Sequence, residues 1–299
     1  MNLQWFPGHM AKTRRLMAEH LKITDLAAEL VDARLPLSSR NPEIDKILGS
    51  KPRLVILNKS DMADSAANAK WVSYFEARGI TALEVSASTG KGISKIGEYA
   101  KKVLAEKIEK DKARGIHRNL KIMVCGIPNV GKSSFINKIA GRAGTKTGDR
   151  PGVTKGKQWV RLDNGIELLD MPGILWPKFD SDDVAVKLAF TGAIRDEILD
   201  VEHLCCILLE FLRSNYPDAL CERYKLSDIA EKTGYELLEN ICKNRGFLIS
   251  GGEFDTFRGA NIVLNEFRDC RLGHITLELP GQTELVCKNE FGVLTYAGQ

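Results

Sequence analysis

Residues 126–133 read GIPNVGKS, which fits the phosphate-loop pattern G-x-x-x-x-G-K-[ST]. The chemistry of such a loop is anion capture. Glycines at 126 and 131 let the backbone curl until its N–H groups, from Asn129, Val130, Gly131, Lys132, Ser133 and Ser134, converge on phosphate oxygens. Lys132 is expected to hold the β- and γ-phosphates and the Ser133 hydroxyl to ligate Mg²⁺. Some forty residues on, DMPG (170–173) supplies Asp170 to anchor magnesium through water and the Gly173 N–H to sense the γ-phosphate. The base is read by NKSD (58–61). The Asp61 carboxylate can accept from the N1–H and exocyclic amine of guanine, a pairing adenine cannot offer, so a wrong base leaves a buried carboxylate unpaired. Asn58 braces the loop, the Lys59 stem covers the ring, and Ser86-Ala87 complete the pocket with backbone donors to guanine O6. Ser88 departs from the lysine common at that place. Together these residues select GTP.

Such groups must sit at the ends of buried strands, and the surrounding sequence provides them. Apolar, strand-like runs occupy 25–33, 53–58, 80–87, 120–126, 157–162 and 166–171, with helical stretches at 64–78, 93–114 and 132–140. That alternation predicts an α/β domain with a mostly parallel sheet covered by helices on both faces. After Pro177 the texture becomes amphipathic helix, for example at 184–194 and 226–234. The expected organisation is a GTPase domain over 1–178, a smaller all-α domain over 179–279, and a weakly ordered tail over 280–299.

Bulk properties fit this plan. A chain of 299 residues with 43% hydrophobic and 27% charged content is an ordinary globular composition. The longest apolar run, CCILL (205–209), is far below the ~20 residues that cross a bilayer, which predicts no membrane association. A functional motif beginning at Trp5 leaves no space for a cleaved address, and seven cysteines without ligand spacing read as reduced thiols. A cytoplasmic protein is expected. The net charge of +4 is unevenly spread. Segments 101–121 and 142–161 are rich in Lys and Arg, the second with Asp149 as its only acid, while 180–239 is acidic. The basic runs are either solvated faces or phosphate-tracking surfaces.

The motif order is unusual. NKSD and Ser86-Ala87 precede the phosphate loop, whereas most small GTPases place the phosphate loop first. This is a circular permutation, and it makes DMPG the exit of the G domain, so loss of the γ-phosphate is expected to be felt by the helices that follow. With WFPGHM (5–10), the permuted motifs, TGDRPGVT (147–154) and DMPGIL (170–175), the sequence resembles the ribosome biogenesis GTPase A family over about residues 3–279. The resemblance implies a GTPase that docks on the late precursor of the large ribosomal subunit, with its rRNA and proteins, and is stimulated by it; a monomer is expected.

In the permuted frame Thr154 becomes the second Mg²⁺ and γ-phosphate contact. Ile174 stands where many GTPases carry a water-orienting glutamine, and a hydrocarbon side chain cannot orient water. The resemblance implicates His9 in that task, the alternative being that Trp5, Phe6 and His9 pack or touch RNA. Asn129 occupies the position at which potassium-stimulated relatives hold K⁺, the alternative being a turn-stabilising asparagine. Lys12, Arg14 and Arg15, and in the helical domain Lys243, Arg245, Arg258, Arg268 and Arg271 around 246–260, are candidate RNA contacts. Two further readings stay open: a permuted GTPase of small-subunit assembly, and a GTP-dependent binding module that hydrolyses negligibly.

Overall fold

The computed structural model describes residues 7–142, 159–162, 165–176 and 181–282, apart from the side chains of residues 7–11 and 142. The chain divides into two units, Met1–Lys178 and Phe179–Gln299.

The first unit is built on six strands: β1 (Leu26–Asp32), β2 (Arg53–Asn58), β3 (Thr81–Glu84), β4 (Leu120–Gly126), β5 (Trp159–Leu162) and β6 (Ile166–Asp170). Their order is β3-β2-β1-β4-β6-β5. All neighbouring pairs are parallel except β5 with β6, which form an antiparallel edge. Every residue of β1 is buried, as a central strand covered on both faces requires. Chain progression runs outward through β1, β2 and β3, then resumes on the other side of β1 with β4. The β1/β4 boundary is therefore the switch point of an open α/β sheet, where ligands bind beyond the strand carboxyl ends.

Helices α1 (Pro7–Leu21) and α2 (Pro42–Leu48) pack Met17, Leu21, Ile44 and Leu48 on Ala27, Met123, Cys125, Leu169 and Met171. Helix α3 (Ser65–Glu76) places Trp71 and Phe75 against Val31, Val55, Leu57 and Ala82 of the same sheet face. Helix α4 (Ile96–Val103) contacts β2 and β3, while α6 (Lys132–Arg142) contacts β4, β5 and β6. The predicted helix over 93–114 is interrupted. A short 3₁₀ turn (Ile93–Lys95) leads into α4, and the buried Leu104 separates α4 from α5 (Ala105–Ala113).

The second unit holds α7 (Asp182–Phe190), α8 (Val201–Asn215), α9 (Pro217–Tyr224), α10 (Gly234–Arg245) and α11 (Thr256–Arg268). Caps mark most starts: Ser181, Asp200 and Asp255 accept from their first turns, and Thr233 forms a full capping box with Glu236. That box also explains one departure from the sequence reading. Residues 226–233 are not helical, because Lys225 closes α9 in the left-handed region and the next helix starts only after Thr233. Lys187, wholly buried, is held by Asp183 at 2.7 Å and Glu278 at 3.4 Å, which ties the segment after α11 back to α7.

Candidate guanine-nucleotide site

Because the strands are parallel, the C-terminal ends of β1, β2, β4 and β6 lie along one edge of the sheet, and the motif residues follow from them. Gly126 ends β4 and opens the phosphate loop; α6 begins at Lys132, so its N-terminal N–H groups and dipole face the loop. A cavity of about 520 Å³ at this edge is lined by Lys59, Pro128, Asn129, Gly131 to Ser134, and Asp170 to Gly173. Phosphate loop, DMPG and the guanine-loop lysine thus share one concavity of ligand size.

Asn58 binds the two nucleotide loops together. Its Nδ2 donates to the Val130 carbonyl at 2.8 Å, and its Oδ1 accepts from the Ala87 N–H at 3.1 Å. Gly131 is needed beside it: φ is +94°, and an added Cβ would come within 2.5 Å of Asn58 Nδ2. The Ala87 N–H, expected as a donor to guanine O6, would have to share or leave its bond to Asn58. At Asp61, Oδ2 accepts from the Ser88 hydroxyl at 2.8 Å, while Oδ1 is buried with no hydrogen-bond partner. A buried carboxylate oxygen left open is expensive unless a ligand donor completes it, as guanine N1–H or the amine would. Ser88 also bonds the Ser86 hydroxyl at 2.9 Å, and Lys138 of α6 donates to the Ser88 carbonyl at 3.0 Å. The residue that departs from the usual lysine therefore joins the two halves of the base pocket.

On the phosphate side, Lys132 is 8% exposed and folds over the loop, donating to the carbonyls of Ile127 at 2.6 Å and Gly126 at 3.2 Å. Burial pushes its ammonium down to about 8, against the pull of Asp170. Burial likewise raises the Asp170 carboxyl, with Lys132 opposing. Ser133 and Ser134 are exposed to the cavity side. Gly173 is forced by close approach: a Cβ there would lie 2.8 Å from both Lys132 Nζ and Pro128 N. The donor set suits Mg²⁺, a hard ion that takes a hydroxyl, one or two carboxylates, waters and phosphate oxygens. No cluster of three His, Cys, Asp or Glu occurs among the described residues. Ser133 and Asp170 are the residues here that would hold it; the ion would neutralise phosphate charge.

The segment after DMPG is pinned elsewhere. Ile174 is 6% exposed and lies in the cluster with Met17, Leu21, Ile44 and Met171. Its carbonyl accepts from Asn41 Nδ2 at 3.0 Å, and Asn41 also caps α2. Ile174 is thus a core residue with no access to an attacking water. Arg14 of α1 pairs at 3.1 Å with Glu43 in the first turn of α2, so the N-terminal half of α1 lies at the same edge of the sheet. His9 is five residues further on, about 7.5 Å of helix rise beyond Arg14. Its side chain, and Thr154, lie outside the described residues.

In the helical unit several candidate RNA contacts have partners of their own: Arg245 lies 3.6 Å from Glu266 and Arg271 3.8 Å from Asp269, but Arg268 is the most firmly held. Arg268 bonds Asp196 through both terminal nitrogens, at 2.6 and 2.7 Å, and the Phe190 carbonyl at 3.0 Å; it anchors α11 to the end of α7.

Two residues of this edge, Asp32 and Arg34, were not signalled by any spaced motif. They lie at the end of β1 and join the base loop through Lys59.

A mostly parallel sheet with guanine loop, phosphate loop and DMPG in that chain order defines a circularly permuted P-loop GTPase. The 50S ribosome-binding GTPase family matches over residues 121–233. The chain is 49% identical over 281 residues to ribosome biogenesis GTPase A of Bacillus cereus, covering 94% of this chain and 95% of that one. It is 31% identical to ribosome biogenesis GTPase A of Thermotoga maritima, covering 93% and 95%. The GDP-bound structure of TM YlqF superposes with a TM-score of 0.63 at 26% identity, covering 89% of this chain and 99% of that one. The chain belongs to the ribosome biogenesis GTPase A family, and it is a GTP hydrolase with the Mg²⁺ requirement of such domains.

Proposed function

We propose that the chain is an assembly factor for the large ribosomal subunit, binding its late precursor and hydrolysing GTP under stimulation by that particle. The observation that carries the nucleotide half is the meeting of the phosphate loop and base loop at Asn58, beside an Asp61 oxygen that lacks a partner. The ribosomal half is supported by the matching family's description, a 50S ribosome-binding GTPase, and by the names of the relatives.

In this reading Asp61 selects guanine, Asn58 fixes the loops, and the phosphate-loop amides of 129–134 with Lys132 hold the phosphates. Ser133, Thr154 and Asp170 serve Mg²⁺, and the Gly173 N–H reports the γ-phosphate. Ile174 is buried and apolar and so does not orient water; we assign that task to His9. Asn129, held in the left-handed region at φ +57°, serves a K⁺ ion whose charge would stand in for an arginine finger. Residues 1–178 form the GTPase domain and 179–279 the ribosome-contacting domain. There Lys243, Arg245, Arg258 and Arg271 remain as RNA contacts, with Arg268 assigned to structure. The chain acts as a cytoplasmic monomer.

Cosedimentation tests the partner. With a non-hydrolysable GTP analogue, the protein is expected to pellet with large subunits and not with small ones. Equal pelleting with small subunits, or with neither, would overturn the assignment.

A further inference from the structure

Asp32 is the last residue of β1 and lies in register with Asn58, the first residue of the base loop. Its carboxylate is gripped from two sides. Oδ1 accepts from the Arg34 N–H at 3.1 Å and Nε at 2.9 Å; Oδ2 accepts from Arg34 Nη2 at 2.8 Å and faces Lys59 Nζ at 3.0 Å. The Asp32 N–H donates to Ser39 Oγ at 2.9 Å, and the Ala33 N–H to the Asn58 carbonyl at 2.8 Å. Asp32 and Arg34 are each 2% exposed.

A buried pair of this kind contributes little net stability, since desolvation offsets its attraction. Lys59, in turn, adopts φ +59°, a left-handed conformation that is unfavourable for a residue with a Cβ. Something must hold that backbone and aim the side chain. The Arg34 fork fixes the carboxylate rigidly, and Oδ2 then gives the ammonium one place to go. The Lys59 stem, fixed at both ends, stands as a wall of the nucleotide cavity.

We propose that Asp32, oriented by Arg34, is a positioning residue for guanine-nucleotide binding: it anchors the tip of Lys59 so that the lysine stem is set in advance to cover the base. The proposal rests on the assignment of residues 58–61 as the guanine loop. It makes the two residues an outer support of the base pocket, separate from the phosphate contacts.

The test is binding of a fluorescent GDP by the full chain. Asp32→Asn and Lys59→Met are each expected to weaken GDP about tenfold, the scale of a lost hydrogen bond to a charged group. The double variant is expected to be no weaker than either single one, because both remove the same link. Competition by inorganic pyrophosphate, which meets only the phosphate loop, is expected to be unchanged in all three. Arg34→Lys, a milder change that keeps the cation and loses the fork, is expected to weaken GDP about threefold, an effect that vanishes when Lys59 is already methionine. This arm decides the matter if Asp32→Asn does not fold. Additive losses, an unchanged GDP affinity, or a parallel loss of pyrophosphate binding would overturn the proposal. Asp61→Asn separates the underlying assignment: it should exchange guanine for xanthine preference, and if it leaves GDP binding intact the loop itself has been misassigned.

Discussion

Replacing Asn58 by alanine removes two bonds at once and leaves the Val130 carbonyl and the Ala87 N–H facing an apolar methyl group. Unmet buried groups of this kind cost about 1–3 kcal/mol each, and both belong to loops that close on the nucleotide. Asn58→Ala is therefore expected to lower stability by about 2–4 kcal/mol in urea denaturation and to abolish measurable GDP binding at micromolar concentration. At Asp32, burial raises the carboxyl's affinity for protons, but Arg34 and Lys59 outweigh it and hold the group well below the usual carboxylate range. A depressed folded value means the stabilisation is present above the unfolded value and is lost as pH falls through the folded one. Urea midpoints compared between pH 6 and pH 3 should therefore drop further for the native chain than for Asp32→Asn; equal drops would contradict this. The motif residues were legible in the sequence because phosphate and base recognition fix residue type and spacing. Asp32 and Arg34 were not, because an ion pair two residues apart at a strand end has no periodicity and looks like any charged loop.

At the level of elements, all six strands were readable: the buried parallel strands are apolar runs flanked by turns, and the antiparallel edge strand β5 alternates buried and more exposed residues. The errors fell on helices. The stretch 226–234 has apolar residues at helical spacing (Leu226, Ile229, Ala230), yet Lys225 and Asp228 take left-handed conformations and Thr233 starts a new helix, so local backbone geometry overrode the pattern. Helices α1 and α2 were missed: α1 begins inside the WFPGHM motif and interleaves Lys12, Arg14, Arg15 and Glu19 with its apolar residues, and α2 is only seven residues long. The signal for α2 was present in Asn41-Pro42-Glu43, a cap followed by proline at the first helical position and an acid in the first turn. Asn41 does two jobs there. Asn41→Ala is expected to cost about 1–2 kcal/mol from the cap alone, and to free the Ile174 carbonyl immediately after DMPG. Hydrogen exchange at residues 171–176 should rise in that variant; unchanged protection would mean α2 does not tether this segment.

For the molecule as a whole, the permuted order has a direct structural expression. The strand that opens the phosphate loop, β4, lies beside β1, although most of the base-binding apparatus comes earlier in the chain. A sheet needs only adjacency and direction, so the same edge is assembled from a different starting point. The permutation also explains why the matching GTPase family covers residues 121–233, leaving the NKSD and Ser86-Ala87 segments upstream. Among the described residues no helix is long and apolar enough to cross a membrane. The proposed ribosomal role could not be read from composition, since a net charge of +4 says little about partners and Arg268, one of the basic candidates, is spent inside its own unit. Ile174, the residue after DMPG, is buried and apolar and cannot orient water, so slow intrinsic turnover and a large response to the partner are expected together. The decisive measurement is steady-state GTP hydrolysis in K⁺ and Mg²⁺ buffer, alone and with purified large or small ribosomal subunits. Large subunits are expected to raise turnover by at least about tenfold, small subunits to leave it unchanged, and His9→Ala to remove the increase. Turnover that is indifferent to large subunits would contradict the proposed function.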